Sequence, residues 1–287
     1  MPTPQKYGEY IQQIPHRDEA EKADIPISHF KKDVAHAIRF VDYLIELKKK
    51  TPVYDKGFER HLKAISSLAF FQIVAAFERL LKELAARCVD EVAPLCTDDR
   101  LSGFAIRGED AAPHVLDQTI GRALCESQLW HNIDDVVKRF KKVLADNSEI
   151  IKPGKPHEFK LFDVDLKSPS LRGEIKSLKV MFQVRHTIAH NLGTLTRSDA
   201  GKLQRILGQR IDSPKELDID RKHVYYLQQF LSPLATEINQ LIADRLGQVL
   251  TQFQSTSPSL IDHLGRSKAL AKLFQVSFTI AGHTEHP

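Results

Sequence analysis

The chain has 287 residues, Lys+Arg 41 against Asp+Glu 37 for a formal net charge of +4, and is 42% apolar and 27% charged. That length can bury a sizeable core without disulfide or metal staples, and 13 Gly and 14 Pro are too few for a collagen-like or wholly disordered chain. The weak positive balance permits a polyanionic partner, while three scattered cysteines (Cys88, Cys96, Cys125) with no CxxC pair suit a reducing cytoplasm and exclude a disulfide framework or zinc ribbon.

Residues 1–27 carry Pro2, Pro4, Pro15 and Pro26, which predicts an arm with at most one short helix over 7–14. The opening residues show no basic-then-apolar leader, so export is not expected. Ser28 is placed to cap a helix over 28–50, where Phe30, Val34, Ala37, Ile38, Val41, Leu44 and Ile45 follow the i, i+3, i+4 rule. A second helix is predicted over 55–92. Its middle is apolar almost all round, as in a helix packed by neighbours on several sides, and Glu78 and Arg79 interrupt that surface. The longest uncharged run, residues 64–77, is shorter than the roughly 18–20 a membrane span needs, so no membrane is expected as a partner.

Residues 97–112 read as a connection, and a third helical stretch over 113–144 contains Trp130. Residues 146–170 form a long loop bearing Lys152, Lys155 and Lys160, with room for a short strand over 159–164. The fourth helix is expected over 171–192, closing at Gly193. Ser198 starts another short helix, and Ser213-Pro214-Lys215-Glu216 matches a capping box with proline at the first helical position. From Asp220 a long helix runs towards Phe253. Leu227, Leu231, Leu234, Ile238 and Leu241 form its seam, and Pro233 should kink it. Residues 258–274 give a last helix and 275–287 a tail. The expected fold class is all-α, a bundle of about five to seven helices. Its division is an arm (1–27), a bundle (28–254) and a C-terminal helix with tail (255–287).

One helix carries a chemical pattern, GEIKSLKVMFQVRHTIAHNLG. At about 100° per residue, Leu178, Met181, Phe182, Val184, Ile188, Ala189 and Leu192 share one arc, and Arg185 falls in its middle. A guanidinium there must meet a carboxylate, Glu78 being the best placed, or open into a cleft, because an unpaired buried charge is costly. His186 and His190 lie one turn apart on the edge of that arc. Three readings stay open on the residues alone: a polyanion site, a structural Arg185–Glu78 pair, and plain surface histidines. The HxxxH spacing also occurs in zinc sites, but Thr187, Ile188 and Ala189 supply no Glu between the two histidines, so no metal is assigned.

The run Arg185-His186-x3-His190-Asn191 resembles the R-x4-6-H motif of the HEPN superfamily, and residues 75–85 (AAFERLLKELA) are similar to that family's aromatic and acidic stretch. The likeness spans about residues 29–254, with only the short motif specific. It implies a helical bundle and a metal-independent endoribonuclease without cofactor, of the kind found in toxin–antitoxin and antiviral systems. By resemblance His190 does acid–base work, Arg185 stabilises the transition state, and His186, Asn191 and Glu78 support them. The implied partners are RNA, a second copy of the chain forming a composite cleft, and an antitoxin or inhibitor protein, in the cytoplasm. Lys152, Lys155, Lys160, Arg197 and Lys202 would guide phosphates. The alternative within the family is a non-catalytic RNA- or nucleotide-binding or dimerisation module.

Overall fold

A computed structural model describes residues 25–50, 55–95, 99–101, 104, 119–126, 128–146, 159, 161, 169–256, 263–276, 278–280 and 283–285. The described residues form an all-α bundle: α1 (Pro26–Lys50), α2 (Asp55–Val92), α3 (Ile120–Glu126), α4 (Ile133–Val143), α5 (Pro169–Asn191), α6 (Arg197–Leu207), α7 (Arg221–Thr256) and α8 (His263–Phe274). Two minimal antiparallel pairs accompany them: β1 (Thr194–Leu195) with β2 (Lys215–Glu216), and β3 (Phe278–Ile280) with β4 (His283–Glu285).

The reason for this layout is the apolar girth of α2. Ile73, Val74, Phe77, Leu80, Leu81, Leu84, Ala85, Cys88 and Val89 are all buried, which requires neighbours on several sides. Helices α1, α3, α5 and α7 supply them. Phe30 of α1 meets Phe77 edge-on at 6.0 Å, and Phe77 continues to Phe182 of α5 at 6.4 Å, so three helices share one aromatic line. An 18-residue window within Gly57–Val92, of mean hydropathy 1.5, is apolar enough to cross a membrane. Half of that window is buried inside the fold. The run of 64–77 understated this because a span tolerates isolated charges.

Several boundaries differ from expectation. Ser28 lies inside the first turn of α1, and its hydroxyl bonds Gln275 instead of capping. The stretch over 113–144 is divided: Trp130 donates Nε1–H to the Cys125 carbonyl after α3, and Asn132 caps α4 by accepting from Asp134 N–H. That division raises the described helices to eight. Phe159 and Leu161 are buried in irregular chain, not strand, and the rest of 159–164 lies outside the described residues. Helix α6 is capped by Thr196, two residues before Ser198. Residues 213–216 start no helix, because Lys215 and Glu216 pair with Leu195 and Thr194, and Leu217 N–H reaches the Gly193 carbonyl. The α7 seam buries Leu227, Leu231, Leu234 and Ile238 but passes to Ile242, leaving Leu241 exposed. The tail carries the β3–β4 hairpin. The arm over 1–24 lies outside the described residues, and 26–27 belong to α1.

Candidate functional site

Helix α5 packs on α2 through Leu178 and Phe182, and on α6 through its opposite face. This fixes where its polar groups point. Arg185 faces α2, where Nη2 lies 3.3 Å from Glu78 Oε2 and the guanidinium stands 5.1 Å from the Phe71 ring centroid. The Glu78 side chain is 12% exposed and that of Arg185 22%, so the pair is shielded without being sealed. Glu78 Oε1 and Arg185 Nε are buried and find no hydrogen-bond partner among the described residues. Burial holds the Glu78 carboxyl above its ordinary value of 4.5, against the lowering pull of Arg185. The structural pairing weighed on sequence grounds therefore exists, with 22% of the Arg185 side chain left exposed.

His186 and His190 stack at 4.5 Å between ring centroids, tilted by 46°. His190 is exposed near the end of α5. Desolvation and then the neighbouring His190 and Lys202 push the His186 imidazole below its ordinary 6.5, Arg185 adding to this and Asp199 opposing it. A third imidazole joins them. His131, in the turn before α4, is lowered from 6.5 by desolvation and then by Arg185, His186 and His190, with Asp135 opposing. Four groups from two segments thus share one electrostatic neighbourhood. Reasoning from sequence missed His131, which stands alone between Trp130 and a cap. Only the packing of α4 on α5 places it here.

Asn191 is held at the end of α5. Its amide donates to Asp199 Oδ2 at 2.7 Å, while Gln183 donates to Oδ1 at 2.9 Å and the Thr196 hydroxyl to Oδ2 at 2.9 Å. Asp199 N–H in turn donates to Thr196 Oγ1. This carboxylate, 3% exposed, ties the end of α5 to the cap of α6, so Asn191 braces the helix pair beside His190. The chain can turn so sharply because Leu192 and Gly193 both adopt left-handed backbone, φ 50° and 83°.

On the α6 side of α5 a cleft of about 500 Å³ opens between α4, α5 and α6. His131, Asp134, Lys179, His186, Lys202 and Arg205 line it, over a floor that includes Ile133 and Phe182. Lys179 pairs with Asp134 at 2.8 Å, leaving Lys202 and Arg205 as the cations that face its opening. Of the expected phosphate-guiding residues, Lys202 is at this cleft and Arg197 is exposed at the first position of α6. Lys152, Lys155 and Lys160 lie outside the described residues. The thiols of Cys88 and Cys125 are buried, and burial pushes them upward, Cys125 to about 12, so neither is a nucleophile at neutral pH. Cys96 lies outside the described residues. Among the described residues no three His, Cys, Asp or Glu side chains gather as a metal site.

Comparison with family models, with curated proteins and with solved structures finds no match to this chain.

Proposed function

We propose that the chain is a metal-independent endoribonuclease of HEPN type, with Arg185 and His190 at its centre. The observation that supports this best is the placement on one helix of a partly shielded Arg185 and of His186 and His190, whose rings stack at 4.5 Å. Cleavage of RNA by its own 2′-OH needs three things: a base for that proton, an acid for the departing 5′-oxygen, and positive charge for the crowded phosphorane. An imidazole that titrates near or below neutrality can accept the 2′-OH proton, and a protonated one can return a proton to the leaving oxygen. The 2′-oxygen bonds to phosphorus as the bond to the 5′-oxygen breaks, leaving a 2′,3′-cyclic phosphate and a 5′-OH. A guanidinium never deprotonates in this range and matches two phosphate oxygens at once.

Arg185 and His190 diverge by about 140° around one helix, so a single α5 presents them awkwardly to one phosphate. Two copies of α5 facing across a twofold axis would converge them, and the arc leaves room. Ala189 is exposed, and Leu192 is 95% exposed beside the motif. A homodimer acting in the cytoplasm as a toxin or defence effector, with an antitoxin or inhibitor protein as a further partner, completes this reading by resemblance.

A second reading, RNA binding without cleavage, is favoured by one observation: Glu78 already occupies part of the Arg185 guanidinium. One assay separates them. Labelled RNA is incubated with the full chain in EDTA. The expected result is 2′,3′-cyclic phosphate ends, with the rate falling about 10²- to 10⁴-fold in Arg185→Ala and His190→Ala at unchanged melting temperature. Retained RNA binding with no cleavage by the wild type would select the second reading, and neither binding nor cleavage would reject both.

A further inference from the structure

Helix α1 has a second apolar face, turned away from the core. Phe40, Tyr43 and Leu47 are 51%, 64% and 41% exposed, and with exposed His36 they recur at steps of four, three and four. Such steps hold one line along a helix, the seam into which another helix packs. Among the described residues this line stays uncovered. At about 100° per residue, Lys32, Arg39 and Lys50 run along one edge of it, all exposed. The acids of α1 are engaged: Asp33 pairs with Arg79 at 2.9 Å and Glu46 with Lys49 at 2.6 Å, and Asp42 accepts from the Tyr225 hydroxyl. An apolar line with a basic edge fits an apolar helix that carries acidic groups beside it.

The sequence immediately before α1 has that composition. Tyr7, Tyr10, Ile11 and Ile14 follow i, i+3, i+4 and i+7, between Thr3-Pro4, a helix-start pair, and Pro15, which stops a helix. DEAEKAD follows over 18–24, setting Asp18, Glu19, Glu21 and Asp24 against Lys22 alone. The lengths match as well. Phe40 stands about 21 Å along α1 from Pro26, and residues 15–24 reach about 33 Å when extended. Phe40 to Leu47 is a run of about 10 Å, the length of a helix over 7–14.

We propose that residues 7–14 dock on the Phe40, Tyr43 and Leu47 face of their own chain, as a helix antiparallel to α1. Ile14 then sits at the level of Phe40 and Tyr7 at that of Leu47, and the acidic 18–24 stretch returns past Lys32. The tether holds this occupant at a high effective concentration, so the arm shields the face from a second helix. The docking uses no residue of the α5 motif and is independent of the cleavage reading.

Photo-cross-linking of the full chain tests this, with benzoylphenylalanine in place of Tyr43. Unlabelled and isotope-labelled chains are mixed before irradiation, so that capture within one chain is told from capture between two. Trypsin cuts after Lys6 and Arg17, and the expected product joins the Tyr43 position to peptide 7–17 of the same chain. Its yield should exceed by at least about tenfold that from benzoylphenylalanine in place of Leu129, which is 63% exposed in the turn before α4. Ile11→Glu/Ile14→Glu should lower the yield at least about tenfold, and Lys32→Glu/Arg39→Glu at least about threefold, both at unchanged melting temperature. Equal capture from the two positions, or capture that survives Ile11→Glu/Ile14→Glu, shows that the tether alone brings the arm near and overturns the docking. Capture between two chains gives the face to a second copy, and absence of capture leaves it uncovered; each overturns the proposal too.

Discussion

Glu78 and Arg185 are close without being a good stabilising pair. Burial raises the Glu78 carboxyl above 4.5 although a guanidinium stands 3.3 Å away, so desolvation outweighs the attraction. The sign of the linkage follows. The folded state binds the Glu78 proton more tightly than the unfolded state, so this carboxyl's contribution is fully present below 4.5 and is lost as pH rises through its raised folded value. Glu78→Gln is therefore expected to flatten the pH dependence of the melting temperature above 4.5, read by thermal denaturation across pH. A fall of several degrees at neutral pH would mean that the pair is chiefly structural. For the histidines the sign is reversed. His131 and His186 are both held below 6.5, so their contribution is present above 6.5 and is lost as pH falls through the lowered folded values. Titration of the imidazole resonances by NMR should place both midpoints below 6.5, and in Arg185→Ala the His131 midpoint should move up, since that cation is among its causes. A His131 midpoint unchanged by Arg185→Ala would separate His131 from the motif.

At the scale of the elements, close packing decides what the chain tolerates. Helix α3 presses its backbone onto α2 at Gly121, whose N–H donates to Asp90 Oδ1 at 2.6 Å. A Cβ there would lie 2.0 Å from the Ala86 carbonyl oxygen. Gly121→Ala must push the helices apart. It should cost at least about 2 kcal/mol, a drop of roughly 5 °C in melting temperature, and a change below 1 °C would show that α3 is not seated this way. Such contacts also explain what was legible in the sequence. The helices α1, α2, α5 and α7 each carry a long apolar period that only one packing satisfies, so their existence and approximate ends could be read off directly. The short elements could not. Thr196 outcompetes Ser198 as a cap because Asp199, three residues on, completes a reciprocal bond with it, and residues 215–216 follow β1 because the turn at Leu192 and Gly193 brings that edge within reach. Within the site, Arg185, His186, His190 and Glu78 were legible because they lie on long helices with an unbroken apolar pattern. Lys202 of α6 was legible as a candidate cation, but His131 and the cleft were not, since they depend on how α4 and α6 settle against α5.

For the whole molecule, the bundle presents three faces of one helix to different surroundings. Arg185 looks towards α2, His186 towards the α4–α6 cleft, and His190 stands exposed near an uncovered Leu192. No single α5 brings the guanidinium and the His190 imidazole squarely to one phosphodiester, and the proposed cleavage chemistry therefore rests on two subunits sharing the work. Mixing the Arg185→Ala and His190→Ala proteins, each inactive on its own, tests this most directly. Subunit exchange should form heterodimers with one intact composite site and restore about a quarter of the wild-type rate of RNA cleavage in EDTA, with 2′,3′-cyclic phosphate ends. A mixture as inactive as its components, when the wild type cleaves and the subunits are shown to exchange, would contradict the shared site, and a wild type that leaves RNA intact would contradict the cleavage chemistry itself.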